Sequence, residues 1–425
     1  MRWLNECSTA ETYEICHRLA GDDLTSELLT RLREIQLRRN QLLVEAVRRQ
    51  VRGTPADAAF RALAELQESD PRLMAELLVL PQVGCWAVDC LRRLRDGEEP
   101  DLGYLVSFSA GAAMRAGRRP PLRPGAFVPG LGTVAESGPV PGLGTVAESG
   151  LVPIPSLHAR VNGLELAVRL DAVDPYLAGF GRRGEADPVW WQRELGHAWR
   201  VLCERHHHAA ETIAAVLTTL VPLEGRERVR PASATSGWAY GAIALSPPPD
   251  PVAFAESLVH EVWHLVLGAV EDVVELTDPG DERRWYAPWR SDPRPLGALL
   301  QGCFANFAIT AFWRAERHAS SAGERRESPD PERHAGPVGE PRASPADERA
   351  EAEFAYRRAV TFEALTSVTG SGSLTGPGEV LVNGLLDRLG EWLTEPVPAA
   401  AERRAAELRA EHRARWLRAN PGFSI

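Results

Sequence analysis

This sequence predicts a mainly helical α+β fold with a small β-sheet, on three observations. Most of its 425 residues fall into stretches whose apolar side chains recur every three or four positions, the period of a helix packed on one side. Residues 159–172 alternate instead, with Val161, Leu164, Leu166, Val168 and Leu170 apolar, as a half-buried strand requires. Two short strand-like runs, 232–236 and 241–245, then lead into a long apolar helix, and strands followed by helices favour α+β.

From the amino terminus, residues 9–52 read as helical, with Leu28, Leu29, Leu32, Leu42 and Leu43 at helical spacing among arginines and glutamates. Helices are expected at 56–67, 71–78 and 83–95, and a small-residue-rich one at 102–116 that packs closely. This region, 1–119, is read as an N-terminal helical domain. The texture changes at 120–155, which is rich in Pro and Gly and holds a tandem duplication: residues 128–138 recur as 140–150. One duplicate is too few for a solenoid, so the segment reads as a surface loop that tolerates a slipped copy. Within it, residues 132–135 read as a short strand.

A metal-site domain is expected over 156–318. Its first part contains the alternating strands, then a long helical region over 188–221. The run His206, His207, His208 falls in that helix. Three consecutive residues point in three directions around a helix, so they do not meet one ion and read as a solvated face. Residues 319–346 are rich in Ser, Pro, Glu, Arg and Gly. They bury too little to offset ordering and read as a disordered linker. A C-terminal helical region, 347–425, follows with helices at 347–366, 378–393 and 399–418.

Composition narrows the function. Hydrophobic residues are 44% and charged residues 25%, ordinary for a globular chain. The net charge is −10 and every basic side chain is arginine; an acidic chain is a poor match for nucleic acid as main partner. There is no uninterrupted apolar run long enough to span a membrane and the first residues lack a signal-peptide core, so no membrane partner and a cytoplasmic location are expected. Six cysteines without a C-x-x-C pair read as reduced, mostly buried thiols.

The segment with specific chemistry runs from Ser257 to Gly268 and contains His260, Glu261 and His264 as H-E-x-x-H. Histidines four apart on a helix lie one above the other, about 6 Å apart, and can hold one metal ion. Leu258, Val259, Val262, Leu265 and Val266 make the rest of the helix apolar, which argues against chance, because polar groups in such a helix are costly unless used. Gly268 continues the histidine stripe and leaves room for another element or a ligand. Glu271 lies further along and is placed to orient a histidine. The expected arrangement is a zincin-like metal helix followed by a second helix across the site. Between the two lies an aromatic, proline-flanked loop, 285–296. Its Arg290 and Arg294 read either as a clamp for a cofactor carboxylate or as loop-fixing partners of Asp292, Glu271 or Asp272.

These motifs resemble a known family. H-E-V-W-H with Gly268 and Asp272, then Y-A-P-W-R-S-D-P-R-P over 286–295 and L-L-Q-G over 299–302, is similar to the HEXXH-motif domain family of bacterial peptide-modification proteins. The likeness extends to 80–86 (L-P-Q-V-G-C-W), to 220–222, to Leu374, Thr375 and Gly378, and to His412 and Trp416, so it covers nearly the whole chain. The resemblance implies iron(II)- and 2-oxoglutarate-dependent β-hydroxylation of a residue in a ribosomally synthesised precursor peptide. The partners it implies are that precursor with its leader segment and other peptide-maturation enzymes. Where the family often has histidine, a natural third metal ligand, this chain has Gln301. Gln301, Glu271 or Asn306 then completes the metal set, or the chemistry has been lost. In the oxygenase reading, His260, His264 and Gln301 are metal ligands and Arg290 or Arg294 binds 2-oxoglutarate. In a zinc peptidase reading, Glu261 is the general base and the 233–236 strand holds an extended substrate. A third reading is a non-catalytic module that binds a leader peptide.

Overall fold

The computed structural model describes residues 7–54, 56–120, 122, 125–134, 151–225, 232–326 and 345–423. Helices come first: α1 (Thr9–Ala20), α2 (Ser26–Gln50), α3 (Asp57–Ser69), α4 (Pro71–Leu78), α5 (Pro81–Arg95) and α6 (Leu102–Arg115). Local chemistry sets several of their starts. The Ser8 hydroxyl accepts from the Glu11 amide at α1, Asp70 accepts from Leu73 at α4, and Asp101 accepts from Tyr104 at α6. Pro71 and Pro81 occupy first-turn positions, where a missing N–H costs nothing.

The strands and later helices follow as β1 (Phe127–Val128), β2 (Gly132–Val134), β3 (Leu151–Pro153), β4 (Ser156–Val161), β5 (Leu164–Leu170), α7 (Pro188–Arg205), α8 (His207–Val216), β6 (Thr219–Pro222), β7 (Ser233–Ala234), β8 (Ala242–Leu245) and α9 (Pro251–Glu271). Last come β9 (Arg284–Trp285), β10 (Arg294–Pro295), α10 (Leu296–Arg326), α11 (Pro345–Gly370), α12 (Gly376–Leu393) and α13 (Ala399–Ala419). The fold is therefore mainly helical with small sheets, as expected.

The chain divides into two compact units. One comprises Ser26–Arg200 and Glu211–Ala269. Its main sheet has the order β4-β5-β6-β8-β7. β5, β6 and β8 run parallel, while β4 and β7 are antiparallel edges. β6 and β8 are buried at every position, as parallel strands covered on both faces must be. β4 alternates between exposed and buried residues through most of its length. The smaller sheet pairs β1-β2-β3 antiparallel.

Helix α5 meets this unit's backbone closely. A Cβ on Gly84 would lie 2.3 Å from the Trp238 carbonyl oxygen. Arg39, 2% exposed, donates to the Gly237 carbonyl and lies over the Trp238 ring. Nearby in sequence to β5, Asp174 is fully buried and accepts from the Tyr104 hydroxyl and the Tyr176 amide.

The other unit comprises Met1–Thr25, Val201–Ala210 and Val270–Ile425. Within it α10 packs on α11, α11 on α13, and α12 on α1. Gly384 of α12 admits the last contact, since a Cβ there would fall 2.5 Å from that of Ala20. Arg358, 3% exposed, is satisfied by the carbonyls of Trp392 and Glu395 and by Glu402. The Leu296–Ala319 part of α10 is long and apolar enough to cross a membrane, yet 78% of its apolar window is buried inside the protein. Its hydropathy is that of a core helix.

Three expectations are corrected. The helical region at 188–221 breaks at His206, and residues 219–222 form β6. The run Thr218, Thr219, Leu220, Val221 holds three β-branched residues and one leucine, a composition suited to a central strand, and Pro222 closes it. His206 is not solvated: it is 9% exposed, a ring nitrogen lies 2.8 Å from Glu316 Oε1, and the ring stacks on Phe312. His207 is the exposed member. Helix α10 also continues to Arg326, into the stretch read as a linker. The rest of that linker, 327–344, and most of the duplicated segment, 135–150, lie outside the described residues. All six cysteines are free, four of them buried.

Two stability predictions follow from this packing. Gly84→Ala forces a methyl against a backbone carbonyl and should cost about 1–3 kcal/mol by urea unfolding. Gly390→Ala, in α12 with no neighbour within 4 Å of the new Cβ, should instead gain about 1 kcal/mol. Asp174 gives a pH signature. Burial and the like charge of Asp171 push its carboxyl from 3.8 up to about 7, against hydrogen bonds from Tyr104 and Tyr176 and the charge of Arg183. The folded state thus holds a proton that the unfolded chain releases near pH 4, so the contribution is present below that pH and lost as pH rises to about 7. Unfolding free energy should therefore fall between about pH 4 and 7, and Asp174→Asn should flatten that slope. An unchanged slope in the variant would refute the assignment.

Candidate metal centre

Helix α9 begins where Asp250 accepts from the Ala253 amide and Pro251 occupies the first turn. Most of its circumference is core: Phe254, Ala255, Leu258, Val262, Val266, Leu267 and Val270 are fully buried. One stripe is not. Ser257, His260, His264 and Gly268, spaced three or four apart, are each only partly buried. This is the stripe predicted by the helical period.

On that stripe the His260 and His264 rings stand nearly perpendicular, at 87°, with centroids 4.7 Å apart. Side chains one turn apart in this arrangement can direct one nitrogen each toward a common point beside the helix. They fit two of the protein donors of a metal ion. Among the described residues, no three His, Cys, Asp or Glu side chains gather into a metal-holding group.

Glu261 is the most buried of the motif's three polar residues. One residue on from His260, it is rotated by about 100° around the helix and is 3% exposed. Its carboxylate accepts from the hydroxyls of Ser233, on β7, and of Thr235. Burial raises its pKa, and His264 and the two hydroxyl bonds act in the opposite direction. Glu261 Oε1 lies 3.9 Å from His260 Nε2, too far for a hydrogen bond. The carboxylate thus links β7 to α9. The partners of Glu261 were not foreseen as such, although the polar run Ser233, Thr235, Ser236 in an otherwise apolar strand region was a visible signal.

The remaining candidates lie in the second unit and are described within it. Gln301, on α10, donates to Glu271 Oε2 at 2.6 Å. Burial and the charge of Asp272 raise the Glu271 carboxyl to about 7, while the Gln301 bond lowers it. Asn306 is 2% exposed and committed at both ends, donating to the Gly302 carbonyl and accepting from Arg357. Arg290 and Arg294 both donate to Asp292, at 3.3 and 3.0 Å. Both arginines thus pair with Asp292, one of the partners expected of them. The Pro-Trp-Arg loop is further fixed where Trp289 lies against Gly302, since a Cβ there would fall 2.7 Å from the indole.

With this geometry in hand, comparison with known proteins adds nothing further: no family model and no curated protein matches the chain.

The carboxylate latch is testable by subtraction. Ser233→Ala combined with Thr235→Ala leaves a buried carboxyl without its donors and should cost about 1–3 kcal/mol. Adding Glu261→Leu should recover much of that loss, because removing both sides of a buried polar contact is milder than removing one. A triple variant no more stable than the double would count against the latch.

Proposed function

We propose that the chain is an iron(II)- and 2-oxoglutarate-dependent β-hydroxylase acting in the cytoplasm on a ribosomally synthesised precursor peptide. The observation that carries this reading is the pair of imidazoles one turn apart on the partly buried stripe of α9, perpendicular and with centroids 4.7 Å apart, a spacing that lets both turn toward one ion. Glu261 is 3% exposed with Oε1 3.9 Å from His260 Nε2. A peptidase of the H-E-x-x-H kind would use that glutamate as general base. An oxygenase needs imidazole ligands and open positions, and makes no such demand on the glutamate. The resemblance of the loop and helix motifs to the HEXXH-motif domain family points the same way.

In this reading His260 and His264 hold the iron. Bound with 2-oxoglutarate and oxygen, iron supplies oxidative hydroxylation of an unactivated C–H bond. Glu261 keeps α9 and β7 together, so the two imidazoles are presented from a rigid element. The apolar residues on the remaining faces of α9 hold the helix in the core.

Anaerobic titration of the apo-protein with iron(II) and 2-oxoglutarate should give a visible charge-transfer band. His260→Ala or His264→Ala should weaken iron binding by at least about a hundred-fold and remove the band. Iron-dependent succinate release on adding the precursor peptide would complete the assignment. Zinc retention with peptide cleavage in the absence of 2-oxoglutarate would replace it with the peptidase reading. No metal binding under any loading condition would leave a peptide-binding module.

A further inference from the structure

A second candidate site lies on the N-terminal helices and uses neither histidine of the metal pair. Helices α2, α3 and α4 enclose an open cleft of about 810 Å³. Its floor is apolar, formed by Phe60, Leu63, Met74 and Leu78. Along its rim stand Arg38, Arg48, Arg52 and Arg61, all exposed.

The charge balance of this cleft is opposite to that of the chain. Four arginines line it against two carboxylates, Glu45 and Asp57, in a protein of net charge −10. Both carboxylates are already engaged, Glu45 by Arg48 and Arg49 and Asp57 by the Gly53 amide. Arg52 and Arg61 carry the excess positive charge into solvent. From Arg38 to Arg48 the cleft follows α2 for ~15 Å, about three helical turns.

We propose that this cleft is a docking site for an acidic amphipathic helix of a partner peptide. Leucine-type side chains at i, i+3/i+4 and i+7 fill the floor, while glutamates or aspartates on the flanks meet the arginine rim. The apolar floor favours a peptide over nucleic acid, whose phosphates would use the rim and leave Phe60, Leu63, Met74 and Leu78 uncovered. Guanidinium is the suited rim group, because it binds carboxylate in a planar two-point fashion.

The test uses the full chain and a fluorescently labelled peptide of about four helical turns, with leucines on one face and glutamates on the other. Its control is the same peptide with lysine in place of glutamate. Fluorescence anisotropy should show binding of the glutamate peptide, weaker at high salt, and none of the lysine peptide. Arg52→Glu with Arg61→Glu should weaken binding by about ten-fold. Ala64→Trp, an exposed cleft position, should block the floor while leaving the fold intact, as the unfolding midpoint will report. Equal binding of both peptides, or affinity unchanged in both variants, overturns the proposal. So does a labelled single-stranded RNA that binds more tightly at the same residues. A concentration-dependent dimer lost in Ala64→Trp would assign the cleft to a second copy of the chain and also overturn it. These outcomes are independent of iron loading, so failure here and failure of the metal site are separable.

Discussion

The arrangement around α9 depends on where one carboxyl group goes. Glu261 sits in a helix whose neighbours are almost all apolar, and an ionisable group in such surroundings destabilises the fold unless it is hydrogen-bonded. Ser233 and Thr235 supply those bonds. This fixes β7, a two-residue edge strand with little pairing of its own, onto the helix beside it. The rotation of α9 is fixed by its apolar faces: with Phe254, Leu258, Val262 and Val266 in the core, the 3.6-residue period places Ser257, His260, His264 and Gly268 together on the partly buried side. The motif thus has one buried polar residue and two partly buried ones.

That stripe was legible in the sequence because it depends only on local period. So were α4, marked by an Asp cap and a first-turn Pro, and β4 with β5, marked by alternation around a turn at Asn162 and Gly163, both with positive φ. What was not legible depended on distant partners. β6 looked like a helix end because a strand buried on both faces loses the alternation that identifies strands. His206 looked solvated because nothing near it in sequence announces Glu316 or Phe312, more than a hundred residues away. The helical stretch read over 9–52 is α1 and α2, separated at Gly21–Thr25, where Asp22 adopts a φ of 56°. For Arg290 and Arg294 the sequence left a cofactor clamp and a local pair equally open, and the pairing with Asp292, two residues away from each, is the local one it named.

Much of what makes the sequence distinctive is packing. Gly84, in the L-P-Q-V-G-C-W segment, lies against the Trp238 carbonyl. Gly302 receives the face of Trp289, and Gly378 lies against the Leu276 carbonyl, where a Cβ would come within 2.0 Å. Thr375 caps α12 and also donates to the Glu275 carbonyl. His412 and Trp416 hold α13 to the loop through Tyr286, the first by a 2.9 Å hydrogen bond to its hydroxyl and the second edge-on at 5.1 Å. Each of these residue types is demanded by its contact, whatever the protein does.

Most polar residues around the loop and α10 already have structural partners. Gln301 and Glu271 satisfy one another, Asn306 serves backbone and Arg357, and the arginines of the loop hold Asp292. His260 and His264 stand on the partly buried stripe of α9, one turn apart and with their rings perpendicular. Imidazoles at that spacing can turn toward one ion, and it is on this pair, together with its place in an otherwise apolar helix, that the metal proposal stands.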